Sequence, residues 1–204
     1  HKSIKLCGED TRVLKVSYAG EKGFEIHVHN GSMKKIYDEL VQHGENFNLI
    51  HFGMLALDSM RLEKNYRSWK SDLTSDYTML QSGLEKWIKF DKGNFIGKEA
   101  LKNEFDLGTS KKFVTLVVDD PEDNKPFGEP VYLSPVFAGD DYLGPIVSSG
   151  YGHRVKKSIS MAILDDRNLN GLNDQLYIDV LGRKRKAYIV NEALYDPENL
   201  KLRS

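Results

Sequence analysis

Ser158-Ile-Ser-Met-Ala-Ile-Leu164 is a short β run, and it has companions on both sides. Phe113 to Val118, Pro130 to Leu133, Leu143 to Val147, Gln175 to Val180 and Arg185 to Val190 read the same way, with Gly, Pro, Asn and Asp between them. That spacing is expected of a small antiparallel barrel or sandwich. Upstream the pattern differs. Leu14, Val16 and Tyr18 alternate with polar neighbours, Phe24, Ile26 and Val28 do so again, and Gly20 and Gly23 break the two runs, so residues 12 to 29 predict a hairpin. Met33, Ile36, Tyr37, Leu40 and Val41 then form one apolar helical stripe, closed by Gly44. Further helices are predicted over about Gly53 to Lys64 and Gly97 to Phe105. Strands and helices in the first part, then only strands, imply an α+β chain with a boundary near Gly108 and Thr109. The expected division is therefore residues 1–108 and 109–204.

The 204 residues are 40% apolar, enough for one large core or two small ones. A net charge of −1 with interspersed signs gives no footprint for nucleic acid or for an anionic membrane. No apolar run approaches the roughly 18 residues that a membrane span requires. The single cysteine, Cys7, excludes an internal disulfide framework and a thiolate cluster, which makes a reducing, cytoplasmic compartment the expectation. The chain starts at His1 without a methionine, so a processing or fragment boundary is expected there.

Several local patterns have ordinary explanations. Asp166 to Gly171 matches the first half of a calcium loop, but Tyr177 stands where the bidentate glutamate belongs, so a hairpin connection is the reading. His27 and His29 are two apart on a predicted strand without a third ligand, and a polar strand face accounts for them. Gly182-Arg-Lys-Arg-Lys186 reads as a hairpin tip whose edge charges discourage stray pairing. No metal site is expected.

Three ordered segments carry a family resemblance. Val16-Ser-Tyr-Ala-Gly-Glu-Lys-Gly-Phe-Glu25 is similar to a Tyr-Thr-Gly-Glu-x-Gly-Tyr/Phe-Glu hairpin. Ala56-Leu-Asp-Ser-Met-Arg-Leu-Glu-Lys64, with Trp69, Asp72-Leu-Thr74 and Gly83-Leu84, leads into Asp91-Lys-Gly-Asn-Phe-Ile-Gly-Lys-Glu-Ala-Leu101. In the second part, Gly128-Glu-Pro-Val131, Ser148-Ser-Gly-Tyr-Gly152 and Leu194-Tyr-Asp-Pro197 continue the series. Together they resemble the glycine cleavage T-protein (aminomethyltransferase) family and the folate-binding halves of dimethylglycine and sarcosine dehydrogenases.

The resemblance implies part of a folate-binding α/β-sandwich domain followed by a small C-terminal antiparallel β-barrel. It implies tetrahydrofolate as the cofactor and one-carbon transfer as the reaction, from a methylated amine or an aminomethyl donor. Glu25 matches the family carboxylate that accepts the amino and ring N–H groups of a pterin edge in a charge-assisted pair. Tyr18 matches an aromatic of the same pocket, and the two are expected to face a shared cavity. Trp69 offers a flat surface to the ligand. Without the resemblance, Glu25 reads as a solvated hairpin acid and Trp69 equally as a core-capping residue. The family's catalytic aspartate lies upstream of every matched segment, so no catalytic residue is assigned, and a missing N-terminal segment is the expected partner.

T-proteins proper carry an arginine where this chain has Leu57, a departure shared with the dehydrogenase-linked relatives that favours a methylated amine over a lipoyl carrier as donor. A non-catalytic folate-binding module is the alternative reading. The iron-sulfur assembly relatives of that kind carry Lys-Gly-Cys-Tyr-x-Gly-Gln-Glu, whereas Asp91 to Glu99 lacks the cysteine. A folate-dependent demethylase acting on a sulfonium compound is a third possibility that the matched segments do not separate.

Overall fold

The computed structural model describes residues 1–119, 129–166, 169 and 176–204. Two compact units emerge: His1–Arg61 with Asp196–Ser204, and Leu62–Tyr195.

The first unit opens with a three-stranded antiparallel sheet in the order β1 (Lys2–Leu6), β2 (Glu9–Leu14), β3 (Glu25–Val28). The predicted hairpin is present as β2 and β3, but its first arm lies earlier than the alternation suggested. The ladder ends where Leu14 pairs with Glu25, leaving Val16 and Tyr18 in the connection. Helix α1 (Asn30–Gly44) follows immediately, its first turn capped by His29, whose Nδ1 accepts from the Gly31 N–H at 3.2 Å. The helix passes into a 3-10 turn that reverses at Asn48, φ 54°, and Leu49 then folds back onto Gly44, where a Cβ would lie 2.6 Å from a Leu49 methyl. Helix α2 (Met54–Glu63) runs from this unit into the next. Ile36 is the one buried apolar side chain of the first unit, although Met33, Tyr37 and Leu40 continue the same helical stripe.

The second unit contains helix α3 (Lys98–Leu107) and a closed antiparallel barrel in the order β4-β7-β6-β5-β8-β9. The strands are β4 (Lys111–Val118), β5 (Pro135–Ala138), β6 (Asp141–Gly152), β7 (Lys157–Asp165), β8 (Leu176–Val180) and β9 (Arg183–Val190). Successive residues of a strand face opposite sides, which explains why most of β4 and β7 is apolar. Val114, Leu116, Val118, Ala162 and Leu164 fill the main core, while Phe113, Ile159, Met161 and Ile163 pack into a second cluster with Leu62 and Val147. Both faces of these strands are therefore buried. At the tip of β8 and β9, Leu181 and Gly182 both have positive φ, 52° and 80°, the geometry of a two-residue primed turn.

Among the described residues no helix lies between 113 and 190, as the alternating runs required. The expected strand over Pro130 to Leu133 is instead a turn. Leu133 has φ 68°, the Ser134 Oγ accepts from the Val131 N–H, and the strand begins at Pro135. Secondary structure changes type where expected, between Leu107 and Lys111. Compactness divides the chain earlier because residues after Arg61 pack with the barrel: Leu62 joins the second cluster, and Thr115 Oγ donates to Asn65 Oδ1 at 2.7 Å. Of the calcium-like stretch, Arg167, Asn168, Asn170 and Gly171 lie outside the described residues.

Candidate functional site

In the first unit, the candidate residues Tyr18 and Glu25 are positioned by the β2–β3 connection. This loop doubles back tightly: a Cβ on Gly23 would sit 3.1 Å from the Val16 carbonyl oxygen and 3.2 Å from the Ser17 Cβ, so glycine permits the close approach. Tyr18 is half-buried within the loop. Glu25 opens β3 and is exposed, with Oε2 held by His27 Nε2 at 3.1 Å, two residues along the same strand face. His29 lies beyond the strand as a helix cap, and among the described residues no group of His, Cys, Asp and Glu could hold a metal ion. A groove of about 700 Å³ runs along the sheet past Lys5, Asp10, Arg12, His27 and His29, and neither Tyr18 nor Glu25 lines it.

In the second unit, the stretch from the end of α2 onward carries a chain of buried polar groups to which the sequence analysis assigned no role. Glu63 is fully buried, and its Oε1 accepts from the backbone N–H groups of Arg154 at 2.7 Å and Val155 at 3.3 Å. Oε2 lies 3.7 Å from Arg154 Nε. Arg67 donates from Nε to the Ser82 carbonyl at 2.7 Å and from a terminal nitrogen to the Gly83 carbonyl at 3.1 Å, with its guanidinium over the Phe113 ring. Burial lowers its pKa, while Glu85 and Asp72 act in the opposite direction. Asp72 is also fully buried; Ser148 Oγ donates to its Oδ1 at 2.5 Å and the Ser68 N–H to its Oδ2 at 2.7 Å. Trp69 lies between these anchors and is 75% exposed, which excludes a core-capping role. The one available signal was a buried-type acid spaced four residues from a serine, too common a pattern to read.

Sequence models of two consecutive domains match the chain: the GCVT N-terminal domain over residues 1–92 and the glycine cleavage T-protein C-terminal barrel domain over residues 111–196. The chain belongs to the glycine cleavage T-protein family.

Relatives of this T-protein family member include an aminomethyltransferase of Thermoanaerobacter sp. (strain X514), 30% identical over 193 residues, which cover 95% of this chain and 50% of that protein. The mitochondrial dimethylglycine dehydrogenase of Homo sapiens is 29% identical over 198 residues, covering 95% of this chain and 22% of the relative. The mitochondrial sarcosine dehydrogenase of Mus musculus is 26% identical over 210 residues, with 22% of its length covered. The chain thus spans about half the length of the aminomethyltransferases it matches and a smaller share of the dehydrogenases. The crystal structure of glycine cleavage system aminomethyltransferase T from Bartonella henselae shares the fold, with a TM-score of 0.77 at 20% identity over 91% of this chain and 50% of that one. The barrel and the helix-bearing region before it are the family's architecture.

Proposed function

We propose that this chain is the folate-binding and barrel portion of a tetrahydrofolate-dependent one-carbon transferase of the aminomethyltransferase type. The observation that carries the reading is the ordered match of both family domains, with a Tyr18 to Glu25 hairpin segment inside the first. Residues 1–108 are the later part of the folate-binding domain and 109–204 the barrel domain. Tyr18, Glu25 and Trp69 contact the folate. The donor set fits this group: Glu25 is an exposed carboxylate steadied through one oxygen by His27, suited to a neighbouring pair of N–H donors, and Trp69 is an open indole suited to a flat heterocycle. Tetrahydrofolate supplies the nucleophilic nitrogen that receives the one-carbon unit, and a methylated amine or aminomethyl compound supplies that unit. The protein works in the cytoplasm, and among the described residues no helix is long and apolar enough to cross a membrane.

The first unit supports a further partner, the remaining part of the same family fold. Phe47, Ile50, Phe52, Met54 and Leu55 are exposed on a unit that buries a single apolar side chain, a larger apolar surface than a finished domain leaves in water. That remaining part also supplies the catalytic aspartate, which no residue of this chain matches. The alternative is a non-catalytic folate-binding module, against which stands the lack of a cysteine from Asp91 to Glu99. Calorimetric titration with tetrahydrofolate, paired with a transfer assay on the chain alone and on the chain extended with the remaining part of the fold, tests the proposal. Binding with turnover only in the extended protein is expected. Binding without turnover in either supports the module, and no binding in either removes the folate reading.

A further inference from the structure

We infer that Asp72 is a positioning residue for Trp69, an inference that rests on the folate reading of Trp69. The segment from Ser68 to Leu73 is wound around the Asp72 carboxylate. Ser68 and Asp72 bond reciprocally: the Ser68 N–H donates to Asp72 Oδ2 at 2.7 Å, and the Asp72 N–H donates back to the Ser68 carbonyl at 3.0 Å. The Leu73 N–H also reaches the Ser68 carbonyl, at 3.1 Å, and the Lys70 N–H reaches the Leu73 carbonyl, at 3.0 Å. Lys70 takes a left-handed φ of 72° to make this closure. Trp69 is the residue between the two ends of this ring, next to the one whose N–H the carboxylate holds.

The ring is tied to the barrel on both sides. Ser148 of β6 donates from Oγ to Asp72 Oδ1 at 2.5 Å, and Ser71 Oγ lies 3.4 Å from the same serine oxygen. On the other side, Arg67 is fixed to the Ser82 and Gly83 carbonyls and to the face of Phe113. A wholly buried carboxylate is costly to hold and is expected only where hydrogen bonds replace its water. Here one oxygen is held by the barrel hydroxyl of Ser148 and the other by the main-chain N–H immediately before an indole that is itself turned to solvent. A surface tryptophan with no ligand needs no such base. A flat ligand that stacks on it gains affinity when the indole is already ordered. Asp72 and Ser148 therefore act on binding through the backbone of Trp69, without touching the ligand.

The test uses the full chain with Trp87→Phe, leaving Trp69 as the sole indole. Asp72→Asn retains size but cannot accept from both Ser68 N–H and Ser148 O–H, and Ser148→Ala removes one donor while leaving the loop sequence intact should the first variant fail to fold. Time-resolved fluorescence anisotropy reads Trp69 directly, and tetrahydrofolate affinity is measured by calorimetry with thermal melting alongside. Both variants are expected to show a larger fast-motion component for Trp69. They should bind tetrahydrofolate about threefold to tenfold more weakly, the factor that ordering one mobile side chain is worth. Unchanged anisotropy and affinity in folded Ser148→Ala and Asp72→Asn would overturn the inference. Trp69→Ala separates the two levels: if that variant binds tetrahydrofolate as well as the parent, the folate reading of Trp69 fails, while altered anisotropy in the other two still upholds Asp72 as its support.

Discussion

The Arg154 N–H donates to Glu63 Oε1 at 2.7 Å, joining residues 91 positions apart in the sequence. The same carboxylate takes the Val155 N–H, and the Glu63 carbonyl accepts from the Tyr195 N–H at 3.0 Å. One residue at the end of α2 thus holds the β6–β7 turn and the end of the second unit together. Glu63→Ala strands two backbone donors in a buried setting and should cost about 2 to 4 kcal/mol. Glu63→Gln keeps the acceptor and should cost about 1 kcal/mol. Urea denaturation of the three proteins checks the order, and equal midpoints for Ala and Gln would refute it.

Gly144 has φ 154°, and a Cβ there would lie 2.2 Å from the Ile163 carbonyl oxygen, on the strand pairing that closes β6 against β7. The obstructing atom is backbone, which cannot swing aside. Gly144→Ala is therefore expected to destabilise the barrel by about 2 kcal/mol or more. Gly139→Ala is a useful comparison because φ is also positive there, 60°, but nothing lies within 4 Å of the added methyl. Thermal melts should place it well above Gly144→Ala.

The Glu9 carboxylate accepts from Ser32 Oγ at 2.6 Å and Lys35 Nζ at 3.0 Å, tying β2 to α1. The Ser32 hydrogen bond, then that of Lys35 and its charge, hold the Glu9 pKa below the ordinary carboxylate value, and Glu9 in turn raises that of Lys35. A depressed acid stabilises the fold above its unfolded pKa and loses that contribution as pH falls through the folded value. A raised lysine contributes below its unfolded pKa and loses the effect as pH rises through the folded value. The pair should thus support the first unit across the neutral range and fail at both extremes. NMR titration of Glu9 should give a lowered midpoint that Ser32→Ala moves upward, and a midpoint indifferent to Ser32 would exclude this account.

Glu25→Gln should weaken tetrahydrofolate binding by about 1.5 to 3 kcal/mol, the range for a hydrogen bond to a charged group. The side chain is exposed, so folding stability should barely change. Calorimetry showing equal affinity for the two proteins would take Glu25 out of the site.

Much of the fold was legible locally. The stripe of Met33 to Val41 marked α1, and the apolar runs after Phe113 marked the barrel strands, because helical and β periodicities are properties of neighbouring residues. Errors fell where the decisive atoms were elsewhere. Val16 and Tyr18 continue the alternation of Leu14, yet the ladder stops at Leu14 opposite Glu25 because the chain must turn back at Gly23. Pro130 to Leu133 has strand composition, but its positive-φ leucine and the Ser134 hydroxyl make a turn.

By itself, the sequence determined α1 and most of the barrel strands, the change from helices to strands near Gly108, and the family, since each rests on residue order and short spacings. Only the tertiary structure decided that Glu63 and Asp72 are fully buried and Trp69 is open, because their partners Arg154 and Ser148 lie 91 and 76 residues away. Burial of a carboxylate is a property of what folds over it, and no pattern within the segment from Glu63 to Asp72 encodes the strands that do so.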